Sequence, residues 1–306
     1  MLDLFIETLQ NKFNYDEKTT RAIKKIFPSI IKYYGKEYED IIKNSLKETR
    51  IISCNSHETI NILVNKLTKI NINNEKSLIK ENLNSTSGIY LSIPIIKYDM
   101  LLKTYVIEKT DRYIILSHTY NLDSARGLAA LTHNICHLIK SYKNEYSLNN
   151  NILTKKIGIS RETYIIETRE EQIYMELLKD ENVGLEEGFT SLDEEEILKL
   201  ILNDNYETFD YDNTKKIAIC LKQKLSLKKS IEEAEINSNI DTFINTYSIE
   251  LFRELSYLAD SSASLEDKKN NYNITKEDQI DINKELKYII DKLTLNMTTY
   301  LKMKKN

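Results

Sequence analysis

The 306 residues, 41% of them hydrophobic, suffice for one large domain or two small ones, and six glycines with two prolines are too few for a β-sandwich or an array of short-turn repeats. The 43 basic and 47 acidic residues are interleaved and sum to a formal charge of −4, which excludes the basic surface that nucleic acid demands. Acidic residues interrupt Met1–Glu7 and no apolar run approaches the ~20 residues of a bilayer span, so neither a signal peptide nor a membrane partner is expected.

In chain order, Leu4, Phe5, Leu9 and Phe13, then Ile23, Ile26, Ile30, Ile31 and Tyr34, recur at helical spacing and predict a small helical unit over residues 1–50. Ser56 is a candidate cap for a helix from His57 to about Ile70, with Ile60, Leu63, Val64 and Leu67 on one face. From Gly88 the texture turns β-branched and aromatic, and Ile89–Ile96 and Tyr113–Ser117 read as strands of a small sheet. Asp123 or Ser124 caps a helix that runs through Leu128, Leu131, Ile135 and Leu138 to about Tyr142. A hairpin of Ile152–Ile159 with Thr163–Glu167 follows, then a helix from near Leu185 to Leu200 in which Asp193-Glu194-Glu195-Glu196 reads as a solvated face.

Helical periodicity continues to the C-terminus. The predicted class is α+β and mainly helical, with a helical N-terminal region at 1–85, a core at 86–205 and a helical C-terminal region at 206–306, or all three in one compact domain. Cys54, Cys136 and Cys220 are widely spaced and odd in number, which predicts free thiols in a reducing cytoplasm.

Chemistry concentrates in Leu131-Thr132-His133-Asn134-Ile135-Cys136-His137-Leu138, where two of the four histidines stand four residues apart. On a helix both imidazoles then face one ion. Zinc usually takes a third protein ligand, and about fifty residues downstream Val183-Gly184-Leu185-Glu186-Glu187-Gly188-Phe189-Thr190 offers a carboxylate at a helix start. Together the two segments resemble the gluzincin zinc metallopeptidases, in which H-E-x-x-H on one helix is followed by a second helix whose glutamate completes the metal site, often within N-E-G-F.

The resemblance covers roughly residues 88–200. It implies a zincin-like unit with a small sheet beside the metal-site helices and one zinc ion held by His133, His137 and Glu187, with Glu186 at the preceding asparagine position. The run His137–Tyr142, joined to Gly184–Gly188, is also similar to an uncharacterised bacterial branch of metallopeptidases that carries an intact H-E-x-C-H.

Asn134 is the departure from both patterns. In zinc hydrolysis that position holds the glutamate that takes a proton from water, and an amide cannot do so. The resemblance therefore implies a metallopeptidase-like pseudoenzyme that keeps its ligands, has lost its general base, and retains zinc and peptide or protein binding. The alternatives are a working hydrolase with another base, for which Glu186 and Glu145 are nearest in sequence, and a helical interaction protein whose histidines merely pack.

Thermolysin-like gluzincins place an aspartate four residues after the glutamate ligand, where this chain has Ser191. Cys136 reads as a packing thiol, with soft ligation or nucleophilic attack as the other readings. Tyr164, Tyr174 and Tyr211 are candidates for an oxyanion-stabilising hydroxyl. The strand Tyr113–Ser117 is a candidate sheet edge for an extended peptide. His57-Glu58 lacks a second histidine at position 61, and His118, near a strand end, reads as structural or surface. Oligomeric state is left open.

Overall fold

A computed structural model describes residues 2–54, 88–117, 121–169, 172–202, 206–208, 211–219, 221–222, 228–237, 239, 249–269 and 274–303. The expected helix from His57, together with His118 and Cys220, lies outside them.

Helices α1 (Leu2–Phe13), α2 (Glu17–Tyr34) and α3 (Glu39–Lys47) open the chain. Asp16 caps α2 by accepting the Thr19 N–H at 2.7 Å. Its buried apolar residues, Ala22, Ile23, Ile26, Phe27, Ile30 and Tyr34, form the stripe that helical spacing predicts. Strand β1 (Thr49–Ser53) follows, within the region read from sequence as helical.

Strands β2 (Gly88–Asp99) and β3 (Thr104–Leu116) form an antiparallel hairpin, and β1 joins the other side of β3 in parallel. The sheet order is β1-β3-β2. This corrects the assignment of Tyr113–Ser117 to a sheet edge: β3 has a partner on each side and cannot accept a further strand there. Edge character cannot be read from composition, because the parallel partner arrives from some sixty residues away in sequence.

Ser124 starts α4 (Ala125–Ser141), its hydroxyl accepting the Gly127 N–H at 3.1 Å. A four-stranded meander then intervenes: β4 (Tyr146–Asn149), β5 (Ile152–Ile157), β6 (Ser160–Arg169) and β7 (Gln172–Glu181), in sequential order. The predicted hairpin is its β5–β6 pair. Its tight turn needs Gly158, at φ +56°, where a Cβ would also collide with the Glu186 carboxylate.

Helix α5 (Val183–Lys199) leads into α6 (Asp212–Ile219), α7 (Lys228–Ile236), α8 (Ile249–Lys269) and α9 (Lys276–Met303). The described residues thus form an α+β protein richer in helix than strand, and none of their helices is long and apolar enough to cross a membrane.

Two apolar clusters organise the helices. One joins α1, α2 and α3 to Leu131, Ile135, Leu138 and Ile139 of α4 and to Ile197 and Leu198 of α5. The other joins Leu185, Phe189 and Leu192 of α5 to α6, α7, α8 and α9. Helix α5 is therefore built into both, and hydrophobic packing runs across the sequence boundaries drawn near 86 and 206.

Candidate metal centre

Helices α4 and α5 are buried on nearly all sides. From Ala130 to Ser141 every residue but His133 is buried, and from Gly184 to Glu195 every residue but Glu187. An all-round buried helix normally carries apolar residues throughout. Each of these leaves one outward window, and the two windows face each other.

Across them, His133 Nε2 lies 3.1 Å from His137 Nε2 and 3.2 Å from Glu187 Oε2, while His137 Nε2 lies 3.4 Å from Glu187 Oε1. Ligands placed ~2.0–2.2 Å from one tetrahedral ion are separated by roughly 3.3–3.6 Å, so the three side chains already have nearly the spacing of a coordination sphere. Among the described residues they form the one group of His, Cys, Asp or Glu able to hold a metal. Two imidazole nitrogens and a carboxylate oxygen are a donor set that suits zinc, with a coordination position left open.

The other nitrogen of His133 is held as well. Nδ1 lies 3.1 Å from Glu194 Oε2, and the Tyr206 hydroxyl donates to Glu194 Oε1 at 3.1 Å. An Nδ1–H donated to this carboxylate leaves Nε2 for a cation and makes the ring a stronger base. His137 has no such support, its buried Nδ1 having no hydrogen-bond partner.

Burial opposes a charge on His133, but the bonds to Glu187 and Glu194 outweigh it and push the ring up to about 10. Burial likewise opposes the charge on Glu187, and the two imidazoles hold its carboxyl well below the usual range. A proton on His133 therefore supplies positive charge where a cation would sit, and metal entry must displace it.

Glu194 overturns the reading of Asp193-Glu194-Glu195-Glu196 as a solvated face. Asp193, Glu194 and Glu195 are 0%, 3% and 6% exposed, each paired with a cationic or hydroxyl partner. The supporting carboxylate also lies seven residues after Glu187, two helical turns away on the same face, rather than four. Ser191, at the four-residue position, is buried with an unpartnered hydroxyl. An i, i+7 search from Glu187 was the available signal for Glu194; charge composition masked it.

Asn134 donates Nδ2–H to the Ala130 carbonyl at 2.8 Å, one turn back on its own helix. Glu145 is held by Tyr90 at 2.6 Å and Arg112 at 2.7 Å, and Glu186 accepts the Ile159 N–H at 2.8 Å and pairs with Lys140 at 3.1 Å. Both candidate replacement bases are thus committed elsewhere. Cys136 is fully buried, and burial pushes its thiol well above the ordinary range, as suits packing rather than ligation.

Of the three tyrosines, Tyr211 reaches the centre, its ring stacked on His133 at 6.5 Å between centroids. Tyr164 bonds Glu162 and Tyr174 lies under Arg169. Gly188 lets α6 approach: a Cβ there would strike the Thr214 carbonyl. Tyr211 immediately precedes α6 and also lines a cleft of about 410 Å³ with Asn213, Lys269 and Lys287. Comparison with known protein families, curated proteins and solved structures finds no match to the chain.

Proposed function

We propose that this is a zincin-like, gluzincin-type metallopeptidase homologue that binds one zinc ion through His133, His137 and Glu187 and has lost hydrolysis with its general base. The observation that carries the reading is the convergence of the three ligand atoms at 3.1–3.4 Å across two separate helices. Histidines that merely packed would not require the Glu187 carboxylate between them.

Zinc bound there would polarise a carbonyl or a water molecule. The chain's own residues then divide the remaining work. Glu194 orients His133 and holds its Nδ1 proton, while Tyr211 covers one side of the centre and borders the neighbouring cleft. Asn134 can neither accept the proton of an attacking water nor return it to a leaving amine, a loss of roughly 10²–10⁴ in rate.

The engagement of Glu186 and Glu145 supports this reading over a working hydrolase with an unrecognised base. What remains is binding of a peptide or protein segment beside the metal. The free, buried Cys54 and Cys136 accord with the reducing cytoplasm we assign.

Purified without chelator, the protein should carry about one zinc per chain by elemental analysis, and His133→Ala should abolish it; absence of stoichiometric zinc in wild type overturns the reading. Asn134→Glu should then confer peptidase activity on a mixed peptide library, because ligands and cleft remain assembled around the missing base.

A further inference from the structure

Directly behind the metal window, α4 and α5 make a second polar contact that the proposed chemistry does not use. Lys140, fully buried, reaches Glu235 Oε1 at 2.6 Å, Asp193 Oδ2 at 3.0 Å and Glu186 Oε1 at 3.1 Å, and donates to Thr190 Oγ1 at 3.0 Å. Lys222, also buried, spans the same acids, at 2.6 Å from Asp193 Oδ1 and 2.9 Å from Glu235 Oε2. Tyr33 donates to Asp193 Oδ1 at 2.6 Å, tying α2 to the cluster.

The sequence positions of these partners matter. On α5, Lys140 holds Glu186 and Asp193, and each is the chain neighbour of a metal-site carboxylate, Glu187 and Glu194. Successive helical residues are rotated by about 100°, so fixing 186 and 193 fixes the direction in which 187 and 194 point. On α4, Lys140 lies three residues beyond His137 and seven beyond His133. One ammonium group thereby sets both the separation and the rotation of the two helices that carry the ligands.

Structural zinc sites are closed by four protein ligands and supply folding energy themselves, whereas this centre offers three and faces outward. We infer that Lys140 and its buried partners, not the metal, assemble α4 against α5, so that the protein takes up and releases a divalent cation reversibly without unfolding. Lys140 is then a positioning residue. The inference rests on the metal-centre reading for the identity of the window and on the buried cluster for the assembly.

The test compares full-length protein stripped by chelator with the same protein after zinc addition. Hydrogen exchange along α4 and α5 should be slow in both states, with zinc changing protection only around His133–His137 and Glu187. Exchange at unfolded-chain rates until zinc arrives overturns the proposal. Lys140→Met should weaken zinc binding, measured against a fluorescent chelator, by tenfold or more and reduce the visible absorption of the cobalt-loaded protein. Lys199→Met, on α5 but paired with Glu195 outside the cluster, should stay within twofold of wild type.

Wild-type affinity in Lys140→Met overturns the proposal, as does a Lys140→Met chain that is unfolded alone and restored by zinc. An unfolded variant that zinc does not restore supports it. If the stripped wild type is folded but takes up no zinc, the metal reading and the exchange fall, while the slow exchange of α4 and α5 still supports assembly by the cluster.

Discussion

Helices α4 and α5 touch through two polar contacts about one turn apart, one closed and one open. In the closed contact, two lysines lie in ion-pair range of three carboxylates with no access to solvent. In the open one, two imidazoles and a carboxylate surround a point that no protein cation occupies. Both contacts hold carboxylates largely withdrawn from water, at the open one Glu187 and Glu194 beside the imidazoles, and these need a compensating positive charge. The chain supplies lysine at the closed contact and leaves the place at the open one to a proton or, on the proposed reading, a metal.

The largest expected effect should fall on the closed side. Lys140→Met leaves Glu186, Asp193 and Glu235 with only Lys222 among them, and breaking such a buried pair costs about 3–5 kcal/mol. Urea denaturation of the metal-free protein should register that loss, while His133→Ala at the open window should cost far less. Equal losses would erase the distinction between the contacts.

Next in size is the metal's own contribution. With zinc at 100 times its dissociation constant, wild type should gain about 2.7 kcal/mol. Glu187→Gln, which keeps the shape but removes the charged ligand, should gain much less. A melting temperature that rises equally in both on adding zinc would show the ion binding elsewhere.

Acidity separates the contacts further. Burial, joined by repulsion from Asp193 and Glu186, pushes Glu235 up to about 7 from its ordinary 4.5, against the pull of Lys140 and Lys222. Between those values the folded protein binds a proton that the unfolded chain releases, so stability should fall as pH rises from 5 to 7, by on the order of 2 kcal/mol. Asp193, depressed despite its burial by Lys140 and Lys222, contributes in the opposite sense: its stabilisation is present above the usual aspartate range and is lost only in strong acid. Glu235→Gln should therefore flatten the 5-to-7 slope without removing the acid transition. A slope unchanged in the variant would assign it to another group.

The open contact was legible in the sequence and the closed one was not, for a reason of range. His133 and His137 announce themselves by local spacing, Glu187 by the resemblance of its segment to the second gluzincin motif, and Ser124 and the apolar positions from Leu128 to Leu138 mark the helix that carries the histidines. Lys140 sits in Leu138-Ile139-Lys140-Ser141, where nothing local says that its partners lie on α5 and α7. Asp193-Glu194-Glu195 looks solvated until Lys140, Lys222 and Lys215 arrive from elsewhere to neutralise it. Strand β7 was likewise missed because Gln172–Glu181 mixes strong helix formers with its strand residues, and only pairing with β6 decides between them.

Glu194 is where the two kinds of contact meet, since it is buried like the closed contact yet faces His133 at the open one. Glu194→Gln separates its two contributions. The amide oxygen can still accept from His133 Nδ1–H, and the Tyr206 hydroxyl, now facing an amide nitrogen, can reverse from donor to acceptor. Geometry is thereby preserved while the negative charge behind the ring is lost. Zinc affinity should drop about tenfold, the low end of the range for such supporting groups, and metal-free stability should change little. Glu194→Ala removes the orientation as well and should cost more. If the glutamine variant binds zinc as tightly as wild type while the alanine variant does not, the carboxylate acts by holding the ring in place and its charge is immaterial. If both match wild type, His133 is held by α4 alone, and the buried carboxylate belongs to the closed contact.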